Sequence, residues 1–400
     1  MPACLRAPVR GAGHSRPPWS TQVRLFKRKL RKKIFMKPSQ LTLLLLVVLG
    51  STAAHAQSTA VPLLGNSFND LTVFGQTYVT TGANSTVIGD MLSGGVTTTG
   101  AHSLVGGSLY ANGAATIGAN ARVAGNMVSV GAGSTGDTSS VGGYLRTGGA
   151  ATVGANAEVI GKVESMGAIT LSASSRTNGV DTLSAVPVLP GMPGGVLAQS
   201  QQLGNAQAAL NGMGTGTALA TTMIADTTLY AGVFSAANLS TTAGITLTLD
   251  GQNKGNQAWV FNIGDYLVAG ASTKIVLINS DGSDRVIWNS GGYASLGAGA
   301  AFLGTVLARD YISIGANASV AGLGGGCGGV FSATSYVSSG DGASIGASGC
   351  KGIDSGFSIV DGAAVYSSNL SAVPEPASAM MLVAGLALLG LLRYRKRMPV

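Results

Sequence analysis

Small apolar and polar positions recur along the first half of this chain on a period of 18 residues. With Gly82, Gly100, Gly118, Gly136, Gly154 and Ser172 aligned as position 1, position 6 is Val87, Val105, Val123, Val141, Val159 and Thr177. Position 8 is Gly89, Gly107, Gly125, Gly143, Gly161 and Gly179. Position 10 is apolar throughout: Met91, Leu109, Met127, Leu145 and Val163. Position 14 is Gly95, Gly113, Gly131, Gly149 and Gly167. A fixed short period with turn residues at fixed offsets predicts a β-solenoid. Eighteen residues divide into three sides of six, each a short strand of period 2. Glycines at fixed positions are expected to turn the chain with positive φ.

The pattern breaks and resumes. Val186 to Pro193 is rich in Pro and reads as a linker. Gly195 to Met213 has no period-2 pattern. Its Val196, Leu203 and Leu210 recur every seven residues, which predicts one helix lying along the solenoid. The 18-residue spacing returns at Gly297 to Gly304 and Gly315 to Gly322. A Gly-rich insertion near Cys327 shifts the register, which resumes at Gly340. The expected class is therefore mainly β, a solenoid of about 18-residue three-sided coils with one helix packed alongside.

Composition narrows the class. Sixty-one of 400 residues are Gly, 10% are charged and 6% aromatic. No Gly-X-Y period is present, which removes collagen. The net charge of +8 sits at the ends. Residues 1–35 hold ten basic residues and no acid, and four more lie at Arg393, Arg395, Lys396 and Arg397. Residues 57–373 hold 9 basic and 15 acidic residues, so a nucleic-acid surface is not expected.

Both ends carry export features. Met36-Lys37, the apolar run Leu41–Leu49 and Ala54-His55-Ala56 before Gln57 predict a signal peptide over 36–56, cleaved by signal peptidase between Ala56 and Gln57. Residues 1–35 have no evident role, and translation is expected to begin at Met36. At the other end, Pro374, Glu375 and Pro376 precede the apolar stretch 377–392 and a basic stop. Residues 373–400 resemble the PEP-CTERM sorting signal of Gram-negative bacteria. The resemblance implies recognition by an exosortase, a transient inner-membrane anchor, removal of the tail, and delivery to the cell surface or extracellular matrix. A permanent anchor is the alternative. In that oxidising setting Cys327 and Cys350 are expected to form a disulfide.

The second array resembles a known family. Thr246–Gly251, Trp259–Gly264, Lys274–Asn279, Val286–Trp288 and Ala298–Ala308 look like the bacterial and fungal ice-binding protein domain, and the likeness covers residues 62–350. It implies a right-handed irregular β-solenoid with a flanking helix. The expected organisation is coils over 57–185, linker and helix over 186–215, and coils over 216–372. The family's ice-binding surface has no shared motif, so no contact residue transfers from it.

Candidate surfaces come from the repeat itself. If positions 16 and 18 point inward, positions 15 and 17 point out. The outward set is Thr80, Thr98, Ala114, Thr116, Ala132, Ser134, Ala150, Thr152, Ala168 and Thr170. It is flat, small and uncharged, and is the expected ice-binding face. Positions 3, 5, 9 and 11 are bumpy and partly charged, and read as solvated. In the second array Tyr293, Ser295, Tyr311, Ser313, Tyr336 and Ser338 fall in the same columns, with Tyr266 and Tyr78 as candidate additions. Aligned Tyr rings suggest a platform for sugar rings, so an exopolysaccharide-binding or structural matrix role is the alternative. Stacked Thr and Tyr also stabilise sheets without any ligand.

Nothing in the pattern suggests catalysis, a cofactor or a metal. The exported body has one His, His102, and no Ser-His-Asp or His/Cys cluster. Asp281-Gly282-Ser283-Asp284 lacks the ligand spacing of a Ca²⁺ loop and reads as a turn. The hexads are similar to those of left-handed β-helix acyltransferases. Those enzymes need a His within the repeats and stronger aliphatic hexads than Ser93, Ala111, Ser129, Thr147 and Ser165.

Overall fold

The computed structural model describes residues 60–65, 68–189, 195–323, 328–347 and 356–366. Within these, 13-, 12- and 12-stranded parallel sheets form the three sides of one solenoid. Position 10 faces the interior: Met91, Leu109, Met127, Leu145 and Val163 are all 0% exposed. Val87, Val105, Val123, Val141 and Val159 join them from the next side. One coil cannot bury this set alone; stacking makes the core continuous.

The order of coils in space differs from their order in sequence. The coil that begins at Leu71 lies in the middle. From it the N-terminal arm runs outward to Val180–Thr182. The chain then returns through helix α1 (Gly195–Asn211), starts again at the opposite end with Thr217–Ala218, and works back to the middle. There the arms are joined by strand pairing: Val73 with Val330, Thr80 with Ser338, and Val87 with Ile345.

Helix α1 lies on the 13-stranded sheet, called here the covered sheet. Its Val196, Leu203 and Leu210 are buried, as their seven-residue spacing requires. Beneath and around them lie Phe74, Leu92, Tyr110, Val128, Phe331, Leu307, Ile287 and Val260. This corrects the expectation that positions 9 and 11 are solvated throughout. Leu92, Tyr110 and Val128 at position 11 are at most 8% exposed, in one cluster with helix residues and with Leu63, Leu64 and Phe68. Only beyond them does position 11 turn charged, where Arg146 pairs with Glu164 at 2.6 Å. A small antiparallel sheet of Val61–Pro62, Phe357–Val360 and Ala363–Tyr366 packs beside the helix.

The glycines act differently from expectation. The left-handed residues of the N-terminal arm are at position 3: Asn84, His102, Asn120, Thr138, Asn156 and Ser174, at φ of 56° to 59°. Asn suits that conformation; a β-branched Thr does not. His102 is accounted for as one of these exposed turn residues. At position 8 only Gly89 and Gly179 have positive φ. The remaining repeat glycines allow close approach. A Cβ on Gly118 would lie 2.5 Å from the carbonyl carbon of Gly100, and one on Gly154 2.6 Å from that of Gly136. Coils could not stack at sheet spacing with side chains there.

Polar side chains fix the corners. Ser93, Ser129, Thr147 and Ser165 at position 12 are buried, and each donates to the carbonyl of the position-14 glycine, at 2.8 to 3.2 Å. Their small size, unsuited to an aliphatic hexad, is what brings the hydroxyl to that carbonyl. Another ladder runs down position 9. The Asp90 carboxylate accepts from Ser108 N–H at 2.6 Å, Ser108 Oγ from Asn126 N–H at 3.1 Å, and Asn126 Oδ1 from Tyr144 N–H at 3.1 Å.

Candidate functional site: a flat uncharged sheet

The second side of the solenoid is a 12-stranded sheet left uncovered by the helix, called here the flat sheet. In the N-terminal arm its strands are Tyr78–Thr81, Val96–Thr99, Ala115–Ile117, Gly133–Thr135, Ala151–Val153 and Ile169–Leu171. Period 2 sends alternate side chains to opposite faces. Inward go Val79, Thr97, Ala115, Gly133 and Ala151, with Thr81, Thr99, Ile117, Thr135 and Val153. The polar exceptions at position 18 have a use. Thr99 Oγ1 accepts from Gly118 N–H at 3.3 Å, and Thr135 Oγ1 from Gly154 N–H at 3.1 Å. Outward go Thr80, Thr98, Thr116, Ser134, Thr152 and Thr170, each paired with the next across the ladder. Ser134 Oγ donates to Thr116 Oγ1 at 3.1 Å, 18 residues away. Beside this hydroxyl column, Ala114, Ala132, Ala150 and Ala168 keep the surface low.

The column does not stop at the arm junction. Thr80 pairs with Ser338, Ser338 with Ser313, Ser313 with Ser295, Ser295 with Val268, Val268 with Ser240, and Ser240 with Thr222. One column of Thr and Ser thus crosses all 12 strands, with Val268 as its single non-hydroxyl member. Sequence reading missed Val268, Ser240 and Thr222. Thr222 and Ser240 are 18 apart, but Val268 lies 28 residues beyond Ser240 and 27 before Ser295, so an 18-residue register carried back from the Tyr-x-Ser triplets loses them. The local signal was the short alternation Leu239-Ser240-Thr241; Leu267-Val268-Ala269 is apolar throughout and carried none.

The neighbouring column changes character at the same junction. Tyr266, Tyr293, Tyr311, Tyr336 and Tyr78 form one continuous stack, at centroid distances of 5.5, 4.8, 5.2 and 4.5 Å and interplanar angles of 19°, 9°, 9° and 6°. Desolvation within the stack pushes the phenols of Tyr78 and Tyr311 above the usual range. Both candidate additions, Tyr266 and Tyr78, belong to the ladder. Its geometry does not suit the expected sugar platform. The ring faces are turned to one another, so the ladder offers solvent its edges and hydroxyls.

No charged side chain points outward in either column. The Ala/Thr half is flanked by position-14 and position-1 glycines, whereas Asp265 and Asp310 border the Tyr half. The lengthened connections 251–257 and 279–284 of the C-terminal arm both lie between the third sheet and the covered sheet. That corner is the one opposite the flat sheet, whose strands stay two to four residues long in both arms.

Residues 190–327 match the ice-binding-like family, and residues 372–397 match the PEP-CTERM protein-sorting motif. The first match takes in the helix and most of the C-terminal arm. Two relatives share sequence with this chain. An ice-binding protein of Nostoc sp. (strain HG1) is 37% identical over 87 residues, 22% of this chain and 32% of the relative. Ice-binding protein 1 of Shewanella frigidimarina (strain NCIMB 400) is 34% identical over 96 residues, 24% of this chain and 11% of the relative. The aligned parts thus span under a third of one relative's length and about a tenth of the other's. Among solved structures, a domain of the Shewanella frigidimarina protein is similar over 72% of this chain and 97% of that one, at 19% identity and a TM-score of 0.41. The ice-binding protein of the Antarctic ascomycete Antarctomyces psychrotrophicus is similar over 72% and 98%, at 17% identity and a TM-score of 0.38.

The remaining sequence candidates, Ala56 and Gln57 at the cleavage point, Cys327 and Cys350, and Pro374, Glu375 and Pro376, lie outside the described residues. Asp281 lies within them. Its carboxylate accepts from Ser283 N–H at 2.9 Å and so closes its own turn.

Proposed function

We propose that the exported protein binds ice through the flat sheet, with Thr80, Thr98, Ala114, Thr116, Ala132, Ser134, Ala150, Thr152, Ala168 and Thr170 as the contact half. The observation that carries this reading is the uncharged hydroxyl column on a flat sheet of 12 strands. Hydroxyls repeat at about 4.8 Å from strand to strand, and outward columns stand about 6.7 Å apart along a strand. Such a grid holds water in a fixed two-dimensional array, and the Ala and Thr methyls beside it bind bulk water poorly. The ice-binding-like domain at 190–327 supports ice as the ligand. The sorting motif at 372–397 supports export, with exosortase as the processing partner and the cell surface or its surroundings as the destination.

The test is ice shaping and inhibition of ice recrystallisation by the purified protein at micromolar concentration. Thr116→Tyr and Thr152→Tyr should each abolish activity while leaving the circular dichroism spectrum unchanged. Ser140→Tyr, facing outward on the third sheet, should leave it intact. Full activity in both flat-sheet variants would sink the assignment of the face. An inactive wild type with a native spectrum would sink the ligand.

A further inference from the structure

Among the described residues, no further strand pairs beyond either end of the solenoid. The last coil of the N-terminal arm is Ile169–Leu171, Arg176–Thr177 and Val180–Thr182. Leu171 and Val180 occupy inward columns, and their counterparts one coil earlier, Val153 and Val163, are 0% exposed. Leu171 is nevertheless 45% exposed and Val180 48%. Among the described residues the chain does not fold over this opening. Leu183 N–H donates to Ser165 O at 2.8 Å, and Pro187 lies against Gly148, so the linker turns back along the covered sheet. At the opposite end the first coil is Thr217–Ala218, Thr222–Met223 and Thr227–Tyr230; its inward Met223 is 7% exposed, and Ile224 just after it is 76% exposed. Each of these strands is the last in its sheet, so one row of its backbone groups lacks a neighbouring strand. Solenoids ordinarily close such ends with a polar cap, because an open edge recruits another strand.

The two ends match. They are opposite edges of the same three parallel sheets, so a second copy displaced along the solenoid axis presents strands in the correct direction. Columns continue across the joint. Thr170 follows Thr152 at one edge and Thr222 follows Ser240 at the other, so Thr170 meets Thr222. In the same register Ala168 meets Ala220, and Leu171 meets Met223. On the third sheet Arg176 pairs with Glu158 in the outward column. At the other end Thr227 pairs with Leu247, which sets the preceding Asp226 opposite Thr246 in that same column. An exposed Arg on one edge therefore faces an exposed Asp on the other.

We propose that copies of this chain associate end to end. The last N-terminal coil of one copy pairs with the first C-terminal coil of the next. The contact is head-to-tail and does not close, so it builds rows rather than dimers. In these rows the flat sheet runs on from copy to copy. The proposal does not depend on the ligand of that sheet.

Sedimentation velocity of the full chain over a range of concentrations tests this, with circular dichroism and melting as controls on folding. Wild type should form species that grow with concentration. Arg176→Glu and Asp226→Arg should each weaken association about ten-fold or more, because each brings like charges together. The double variant Arg176→Glu/Asp226→Arg reverses the pair and should recover most of the lost association. Leu171→Lys, at a position already half exposed, should abolish association at an unchanged melting temperature. A wild-type monomer at every concentration overturns the proposal, and so does a segment of this chain found covering either end. Association indifferent to all three single substitutions overturns it equally.

Discussion

In the N-terminal arm a coil takes 18 residues; in the C-terminal arm equivalent residues lie as many as 28 apart. The difference follows from what fills the interior. The first arm packs Val, Met and Leu around corners tied by Ser and Thr hydroxyls. The second packs Phe234, Phe261, Trp288 and Phe302 in a row, with Phe261 and Trp288 4.0 Å apart at 5°. Wide rings need wide coils, so Ala258–Ile263 and Arg285–Ser290 extend to six residues. Yet the flat sheet keeps the same outward pattern through both arms. Core volume and coil length vary together on two sides, while the third side is held constant.

Four substitutions would break or sharpen this contrast. The largest effect is expected at Trp288, whose indole N–H also donates to Leu303 O at 3.0 Å. Trp288→Ala should cost about 4 kcal/mol, against about 3 kcal/mol for Leu145→Ala in the thinner arm. Denaturant unfolding followed with hydrogen exchange would measure both. Equal losses would mean that the aromatic row adds nothing beyond its volume.

A middle-sized effect concerns Asp90, where the polar ladder meets the arm junction. Burial raises its pKa to about 6, against the opposing hydrogen bond from Ser108 N–H and with a smaller push from Asp70. The folded state holds this proton more tightly than the unfolded chain. The associated stability is complete below about pH 4 and is lost as pH rises through about 6, an effect of about 2 kcal/mol after discounting for partial exposure. Asn126 performs the same bond one coil further from Asp90's ladder partner. Asp90→Asn should therefore keep the ladder, remove the pH slope and raise stability at pH 8. Thermal melts from pH 4 to 8 would check this; an unchanged slope would place the titration elsewhere.

The smallest effect is at Thr138, the β-branched member of the left-handed column. Thr138→Asn should gain about 0.5–1 kcal/mol by relieving the backbone, visible as a small rise in melting temperature. No gain would mean that Thr is accommodated there without strain.

How much of this could be read in advance also divides by arm. The 18-residue register places every outward Thr and Ala of the first arm because nothing interrupts it. In the second arm the Tyr-x-Ser triplets at 293, 311 and 336 carry enough local pattern, whereas Ser240 and Thr222 do not. The meeting of Thr80 with Ser338 has no local signature, because strand neighbours in a solenoid are chosen by stacking and not by proximity in sequence. The burial of Leu92, Tyr110 and Val128 was missed, because they share an outward column with charged residues and only the helix that covers them explains it. The glycines misled because φ freedom and close approach leave the same mark in a sequence.

The junction at the centre has a consequence for the order of assembly. Ala83 N–H donates to the Asp341 carboxylate at 2.8 Å across 258 residues of chain. Emerging from the N-terminus, the first arm is complete while the inner edge of its first coil still awaits residues 328–345. Growth of the second arm proceeds toward that waiting edge, so the last coil to appear, and not the first, sets when the whole becomes closed. Contacts this distant along the chain form slowly. A newly delivered molecule therefore passes through an interval with a bare parallel edge at its middle, when crowding with like molecules is most hazardous.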